Sequence, residues 1–255
     1  MPPPRLHQFR VSHYSEKARW ALDHKGWPHA RVSHVPGFHL PRVRMMTGQQ
    51  QLPVLVFEDR TLCGSGAILA EIEHRRPDPP LLPASPAERV RAREIEAFFD
   101  ADVAPDLRRL FWWAYLDHPV LCARMATDGF GTATRWAWRA CFPLMRPLFC
   151  RNMGIDTAHL AQARAQLPRY FDWLEANVGP SGYLVGDAFT HADLCAAAVM
   201  TALVRPPEFP YPLPEPWPAE LIELRESVAA RPGFAWVLEI YRKHRGRSHD
   251  IAVAS

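Results

Sequence analysis

Ten residues holding five prolines, Pro77-Asp78-Pro79-Pro80-Leu81-Leu82-Pro83-Ala84-Ser85-Pro86, split this chain into two unlike parts. Proline has no backbone N–H and its ring clashes with the preceding turn, so no regular helix runs through such a stretch. The stretch reads as an interdomain linker between the two parts. A length of 255 residues suits one or two domains. The break predicts a first domain over 1–77, a linker over 78–87, a second domain over 88–244 and a flexible tail over 245–255.

Before the connector, short strand-like and helical pieces alternate. Leu6-His7-Gln8-Phe9 reads as a strand, and 13–25 as a helix stopped by Gly26 and Pro28. Ala30-Arg31-Val32 reads as a strand, 39–46 as a short helix, 54–57 and 60–63 as strands, and 66–75 as a helix. The order β-α-β-α-β-β-α gives a small α/β sandwich whose first crossover should be right-handed. Beyond the connector the texture is helical. Val90, Ile95, Phe98, Phe99, Val103, Leu107, Leu110 and Phe111 recur at helical intervals over 87–116. Further helices are predicted over 157–177, from Thr190, and over 219–243 with a break at Pro232-Gly233. The seven prolines within 206–218 read as a connector or as a polyproline ligand.

Composition narrows the function classes. Apolar content of 48% with 22% charged residues is that of a soluble globular protein. A formal charge of +3, with scattered Lys and Arg, argues against a nucleic-acid partner. Met1-Pro2-Pro3-Pro4-Arg5 carries no apolar signal-peptide core, and no apolar run approaches the ~20 residues of a membrane-spanning helix. Cys63, Cys122, Cys141, Cys150 and Cys195 form no CxxC pair, zinc spacing or disulfide framework. No metal site is expected, a reducing cytoplasm is, and the thiols should act as small buried apolar groups.

Three short segments carry chemistry. Ser12, opening the first helix, is placed as its N-cap, where the hydroxyl accepts from a first-turn N–H and keeps its own proton to donate. A serine there is ordinarily only a cap, yet free N–H groups and the helix dipole also favour an anion. Each tenfold shift of a bound thiol towards thiolate needs about 1.4 kcal/mol. In Gln51-Leu52-Pro53-Val54 the proline stands at the first residue of a strand, where it is tolerated. A cis bond there would leave the Leu52 backbone open to pair with a peptide. Ser65, before Ala67, Ile68, Leu69 and Ile72, is placed to cap the next helix and to offer hydroxyl and N–H to a carboxylate. A structural device stands further on: Thr190 and Asp193 have capping-box spacing, and Phe189 and Leu194 that of a hydrophobic staple.

In this order, and with Gly186-Asp187-Ala188-Phe189-Thr190-His191-Ala192-Asp193 following, the whole chain resembles the glutathione S-transferase superfamily, its serine-type bacterial members in particular. The resemblance implies an α/β thioredoxin-like N-terminal domain, an all-α helical C-terminal domain and a homodimer. It implies glutathione as co-substrate and a small hydrophobic electrophile as partner. It assigns Ser12 to the glutathione sulfur, the Leu52 backbone before Pro53 to the cysteinyl part, and Ser65 to the γ-glutamyl carboxylate. His39 and Gln51 are looser matches for the glycine carboxylate. The chain departs from the pattern at Gly64, where the family usually has an acid or glutamine for the ligand's amino group. Phe9 stands where tyrosine-type members keep their tyrosine, which leaves Tyr14 a poor candidate. Without a thiol in Ser12-His13-Tyr14-Ser15, disulfide exchange is excluded at this site.

An aromatic-rich part, Leu110–Tyr115 with Trp136, Trp138, Phe142, Met145 and Phe149, suggests either core or an apolar cleft for the second substrate. Arg135, Arg139 and Arg146 recur at spacings that share a helix face, for solvent, an acidic ligand or a membrane surface. Pro143 and Pro147 argue against one long helix there.

Overall fold

The computed structural model describes residues 2–251. Its sheet has four strands, β1 (Arg5–Gln8), β2 (Ala30–Ser33), β3 (Val54–Val56) and β4 (Thr61–Cys63), in the order β2-β1-β3-β4. β1 is parallel to β2 and antiparallel to β3, so His7 stands opposite both Val32 and Val54. Helices α1 (His13–His24), α2 (Leu40–Thr47) and α3 (Ser65–Arg75) complete this part. α1 ends where the sequence predicts: Gly26 takes φ +58°, a left-handed turn that glycine adopts without steric cost.

The remainder is helical: α4 (Pro86–Phe98), α5 (Ala104–Leu116), α6 (Pro119–Ala126), α7 (Thr132–Met153), α8 (Thr157–Asn177), α9 (His191–Val204), α10 (Ala219–Ala229) and α11 (Pro232–His244). A π-helical turn, Phe99–Val103, separates α4 from α5. Pro105 cannot supply the N–H that the Ala101 carbonyl would otherwise accept, which explains the widening there. α9 is buried over its whole length, as befits a helix apolar on every side. Its start is the predicted capping box: Thr190 Oγ1 accepts from Ala192 N–H (3.3 Å) and Asp193 Oδ2 accepts from Thr190 N–H (2.9 Å). Asp193 Oδ1 also accepts from Leu184 N–H (2.8 Å), tying the preceding loop to the helix.

Three expectations are corrected. α7 runs unbroken for 22 residues through Pro143 and Pro147. Both prolines are exposed and four residues apart, so the carbonyls they leave unpaired face water. The tail beyond 244 is docked as far as it is described: Arg245 is buried, and Ile251 N–H donates to the His29 carbonyl (2.9 Å). His29 N–H donates in turn to the His249 carbonyl (3.2 Å), so this segment covers the β2 edge, while 252–255 lie outside the described residues. Of the cysteines, Cys122 and Cys195 are buried as expected, but Cys63 and Cys141 are exposed. Among the described residues no helix is long and apolar enough to cross a membrane.

α1 is the hinge-pin of the molecule, packed between α3 and α9. Enclosed on both sides, it buries Glu16, Lys17, Arg19 and Asp23 along with its apolar residues. Buried charges must be paired. Lys17 Nζ donates to Asp100 (2.7 Å) and Glu96 (3.1 Å) of the helical part. Arg19 reaches Glu16 (2.7 Å) and the carbonyls of Phe9 and Arg10 (both 3.1 Å). Arg245 completes the set, donating to Glu16 (2.6 Å) and Asp23 (2.8 Å).

Candidate functional site

The site forms where the C-terminal end of β1 meets the first turn of α1. Ser12 is the N-cap, half-buried, and its Oγ accepts from Ser15 N–H (3.3 Å). Its hydroxyl proton has no acceptor among the described residues, and the N–H groups of His13 and Tyr14 have none either. Ser15 turns inward and accepts from Phe9 N–H (3.2 Å), which braces the loop beneath Ser12. The Tyr14 hydroxyl is engaged elsewhere, on the Asp100 carbonyl (3.0 Å). Chemically, the corner offers an oriented O–H donor and free N–H groups at a helix N-terminus, a setting that stabilises an anion.

The Leu52–Pro53 peptide is cis, and neither the N–H nor the carbonyl of Leu52 pairs with another described residue. The Pro53 carbonyl accepts from Gly64 N–H (3.0 Å), which brings the start of β3 against the start of α3. Ser65 is not the cap it reads as in the sequence. Gly64 occupies the N-cap position with φ +87°, and Ser65 is the first residue of α3. The Ser65 hydroxyl therefore makes no capping bond and keeps both its donor and its acceptor capacity. A Cβ built on Gly64 would meet nothing within 4 Å, so only the backbone conformation, not space, selects glycine there.

Two sequence-predicted residues are differently engaged. Both His39 ring nitrogens are occupied within the protein: Nε2 pairs with the Gln50 carbonyl (3.0 Å) and Nδ1 accepts from Gly37 N–H (3.1 Å). A carboxylate reaching His39 would have to displace one of these bonds. Gln51 is exposed and clasped through its backbone by the Gln49 side chain, which leaves its own amide free.

Other residues at this corner were not legible in the sequence. Glu96 Oε1 lies 3.5 Å from where a Cβ on Gly66 would sit, near the start of α3, but Lys17 already holds it and Asp100. Proximity to Lys17 pulls the Glu96 carboxyl below its ordinary range despite burial, whereas burial prevails at Asp100 and raises it. On the other flank Arg10 pairs with Asp128 (3.1 Å), 118 positions away, and lies flat over Gly129, where any Cβ would clash with the guanidinium. Its guanidinium also stacks on Tyr211, 4.9 Å from the ring centre. No local pattern signals contacts of that span.

Of the aromatic residues read as core or cleft, Phe111, Trp112, Tyr115, Trp138 and Phe142 are buried in the core, and Trp136 is exposed. Beside Ser12 a small gap of about 10 Å³, room for a single water at most, lies between Phe9, Arg10, Val11, Met125 and Phe130. The large groove, about 1100 Å³, lies at the other end of β1, between Pro2–Pro4, Trp27, Phe57 and Arg75. It is remote from the Ser12 corner, because Pro4 precedes β1 and Ser12 follows it.

A small mixed sheet whose third strand opens on a cis-proline, joined to a bundle built around a buried, boxed helix, defines a thioredoxin-like domain fused to an all-helical one. Comparison with known proteins makes that class specific. Family models described as "Glutathione S-transferase, N-terminal domain" and "Glutathione S-transferase, C-terminal domain" match residues 6–80 and 157–226, together more than half of the chain. The chain belongs to the glutathione S-transferase superfamily. It is 24% identical over 203 residues to FtsZ-localized protein A of Caulobacter vibrioides, covering 78% of this chain and 76% of that protein. It is 32% identical over 108 residues to probable maleylacetoacetate isomerase 1 of Drosophila melanogaster, covering 40% of this chain and 44% of that protein. The second alignment thus spans less than half of its relative. The fold is shared with the theta class glutathione S-transferase of Xanthomonas axonopodis pv. citri, solved with glutathione bound, at 21% identity and a TM-score of 0.53, covering 93% and 98% of the two chains.

Proposed function

We propose that the chain is a glutathione transferase that joins the glutathione sulfur to the electrophilic carbon of a hydrophobic compound. The observation that carries this reading is the Ser12 hydroxyl, with its proton unclaimed, beside the free N–H groups that open α1. Glutathione would lie with its cysteinyl backbone along Leu52, its γ-glutamyl carboxylate at Ser65 and its glycine carboxylate near Gln51. Ser12 donates to the sulfur and, with the helix dipole, favours thiolate over thiol. The thiol proton leaves to solvent, the sulfur lone pair forms the new C–S bond, and the displaced electron pair departs with the leaving group.

Ser12→Ala removes a hydrogen bond to a charged sulfur, worth roughly 1.5–3 kcal/mol, so kcat should fall about 10- to 100-fold. The pKa of bound glutathione should rise, with binding little changed. Ultraviolet titration of the bound thiolate and steady-state kinetics read the two effects. An unaltered rate together with an unaltered thiol pKa would remove Ser12 from the mechanism.

A second reading, a binding or scaffold protein with weak or no catalysis, draws on Gly64. Gly64 itself offers no acid to the γ-glutamyl ammonium, and Glu96, near Gly66, is already bonded to Lys17. The relative FtsZ-localized protein A is named for a partner and not for a reaction. Calorimetric titration with glutathione separates the readings: absence of heat at millimolar ligand favours the scaffold. Gly64→Gln restores the group that the family pattern has there, into open space. It should tighten glutathione binding severalfold while costing about 1–2 kcal/mol of stability for a side chain at positive φ. Unchanged affinity in a folded Gly64→Gln protein would dissociate this position from the ligand.

A further inference from the structure

α7 lies within the stretch 81–156 that neither glutathione S-transferase family match reaches. It is apolar on two sides. Trp138 and Phe142 are buried inward, and the Trp138 indole N–H donates to the Pro36 carbonyl (2.9 Å). Outward stand Trp136, Leu144 and Leu148, which are 63%, 87% and 53% exposed, with Ala137, Ala140, Pro143 and Pro147 exposed among them. Spacings of four along 136, 140, 144 and 148 keep them on one side of the helix. Met145 packs at Gly37, so the exposed Phe38 sits beside this face. Within the helix and its flanks in sequence the charge has one sign. Residues 129–155 contain four arginines and no acid, and 24–57, which include Phe38 and α2, contain no acid either.

We propose that the outward face of α7, with Phe38 at its side, docks on an anionic lipid surface. A convex helix face bearing an exposed indole and leucines, flanked by guanidiniums, has the design of an interfacial helix lying in the headgroup plane. Arg139, 5.5 Å from the Trp136 ring centre, and the exposed Arg151 are the cations that meet lipid phosphates. Arg146 is held by Asp117 (2.6 Å), so it adds little free charge. A second copy of the chain fits this face poorly. An isologous contact would bring Arg139 and Arg151 against the same arginines of the second copy, with the neighbouring Asp117 already held by Arg146. An acidic protein segment would need a groove, and neither cavity described above is lined by α7.

Sedimentation of the full chain with lipid vesicles tests this. Binding to phosphatidylcholine vesicles containing phosphatidylglycerol should exceed binding to phosphatidylcholine alone by at least about tenfold, and should weaken as salt rises. Arg139→Gln with Arg151→Gln should lower it about thirtyfold, the loss expected of two basic side chains at an anionic surface. Trp136→Ser with Leu144→Ser and Leu148→Ser should abolish it. Leu144→Ser alone, at a side chain that is almost wholly in solvent, should weaken it severalfold with unchanged circular dichroism. Ser12→Ala should pellet as the unaltered protein does, which keeps this face distinct from the thiol site. Equal pelleting with neutral and anionic vesicles, or binding retained in the triple variant, would overturn the proposal. So would capture by polyglutamate without capture by vesicles, or a dimer that the triple variant dissociates.

Discussion

Arg245→Ala should destabilise the folded chain by about 3 kcal/mol, measured as a lowered urea midpoint, although it lies far from the thiol site. The guanidinium is buried against Glu16 and Asp23, both without solvent exposure. Removing it leaves two buried carboxylates with one arginine each, Arg19 and Arg31. Those remaining partners keep the cost at the low end of what breaking a buried ion pair entails. Arg245→Met restores volume but not charge and should recover little, whereas replacing the whole group by apolar residues could be neutral. The same change should free the segment to Ile251 from the β2 edge, because His29, Arg31 and Asp23 hold that segment beside Arg245. Amide exchange at His29 and Ile251 would register the release. A folded Arg245→Ala protein with wild-type stability would mean that the network is not what binds the two domains.

Mild acid should weaken the fold through its buried imidazoles, with part of the loss offset by Asp193, which burial raises to about 6 and which therefore binds its proton more readily in the folded chain. Burial pushes the His13 imidazole down to about 3, helped by Arg108 and Lys17, so it is neutral in the folded chain. In the unfolded chain its pKa is about 6.5. Between these values the unfolded state binds the extra proton, so stability is complete above about 6.5 and falls as pH drops towards 3. The slope for one such group is about 1.4 kcal/mol per pH unit, which accumulates to roughly 3 kcal/mol by pH 4.5. His7 and His34 are lowered to about 4 by burial and by their neighbours, and act in the same direction. They share one hydrogen bond, Nδ1 to Nε2 at 2.8 Å, which holds only while at least one ring is neutral. Asp23 and Glu96 contribute in a lower window. Arg245 and Arg31 hold Asp23, and Lys17 holds Glu96, below the usual carboxylate range, so their share is lost only as pH falls beneath it. His13→Gln should flatten the stability profile between neutral pH and pH 4.5 by about one proton's worth of slope. An unchanged slope in that variant would show that His13 already exchanges protons freely in the folded chain.

What could be read from the residues follows a physical division. Strand and helix periods, the stops at Gly26 and Pro28 and the box at Thr190–Asp193 are local, so their elements appear within a residue or two of expectation. Ser12 as the cap of α1 is equally local. Ser65 was misread because the choice of cap depended on φ at Gly64, and that angle is set by the pairing of Gly64 N–H with Pro53. α7 was misread because the rule against internal prolines assumes that their carbonyl partners are buried, and here they face water.

Sequence alone determined the order of elements, the connector at 77–86, the family resemblance and the position of Ser12 at a helix start, all of which rest on interactions within a few residues. Tertiary structure decided the rest, because burial and charge pairing depend on residues far apart in the chain. It enclosed α1 on both sides and so made Glu16, Lys17, Arg19 and Asp23 an ionic joint with Arg245, more than 200 positions away. It engaged Glu96 with Lys17, near the start of α3, and set Asp128 against Arg10, 118 positions away. It left one side of α7 bare, because only the side that faces Pro36 and Gly37 finds protein to pack against.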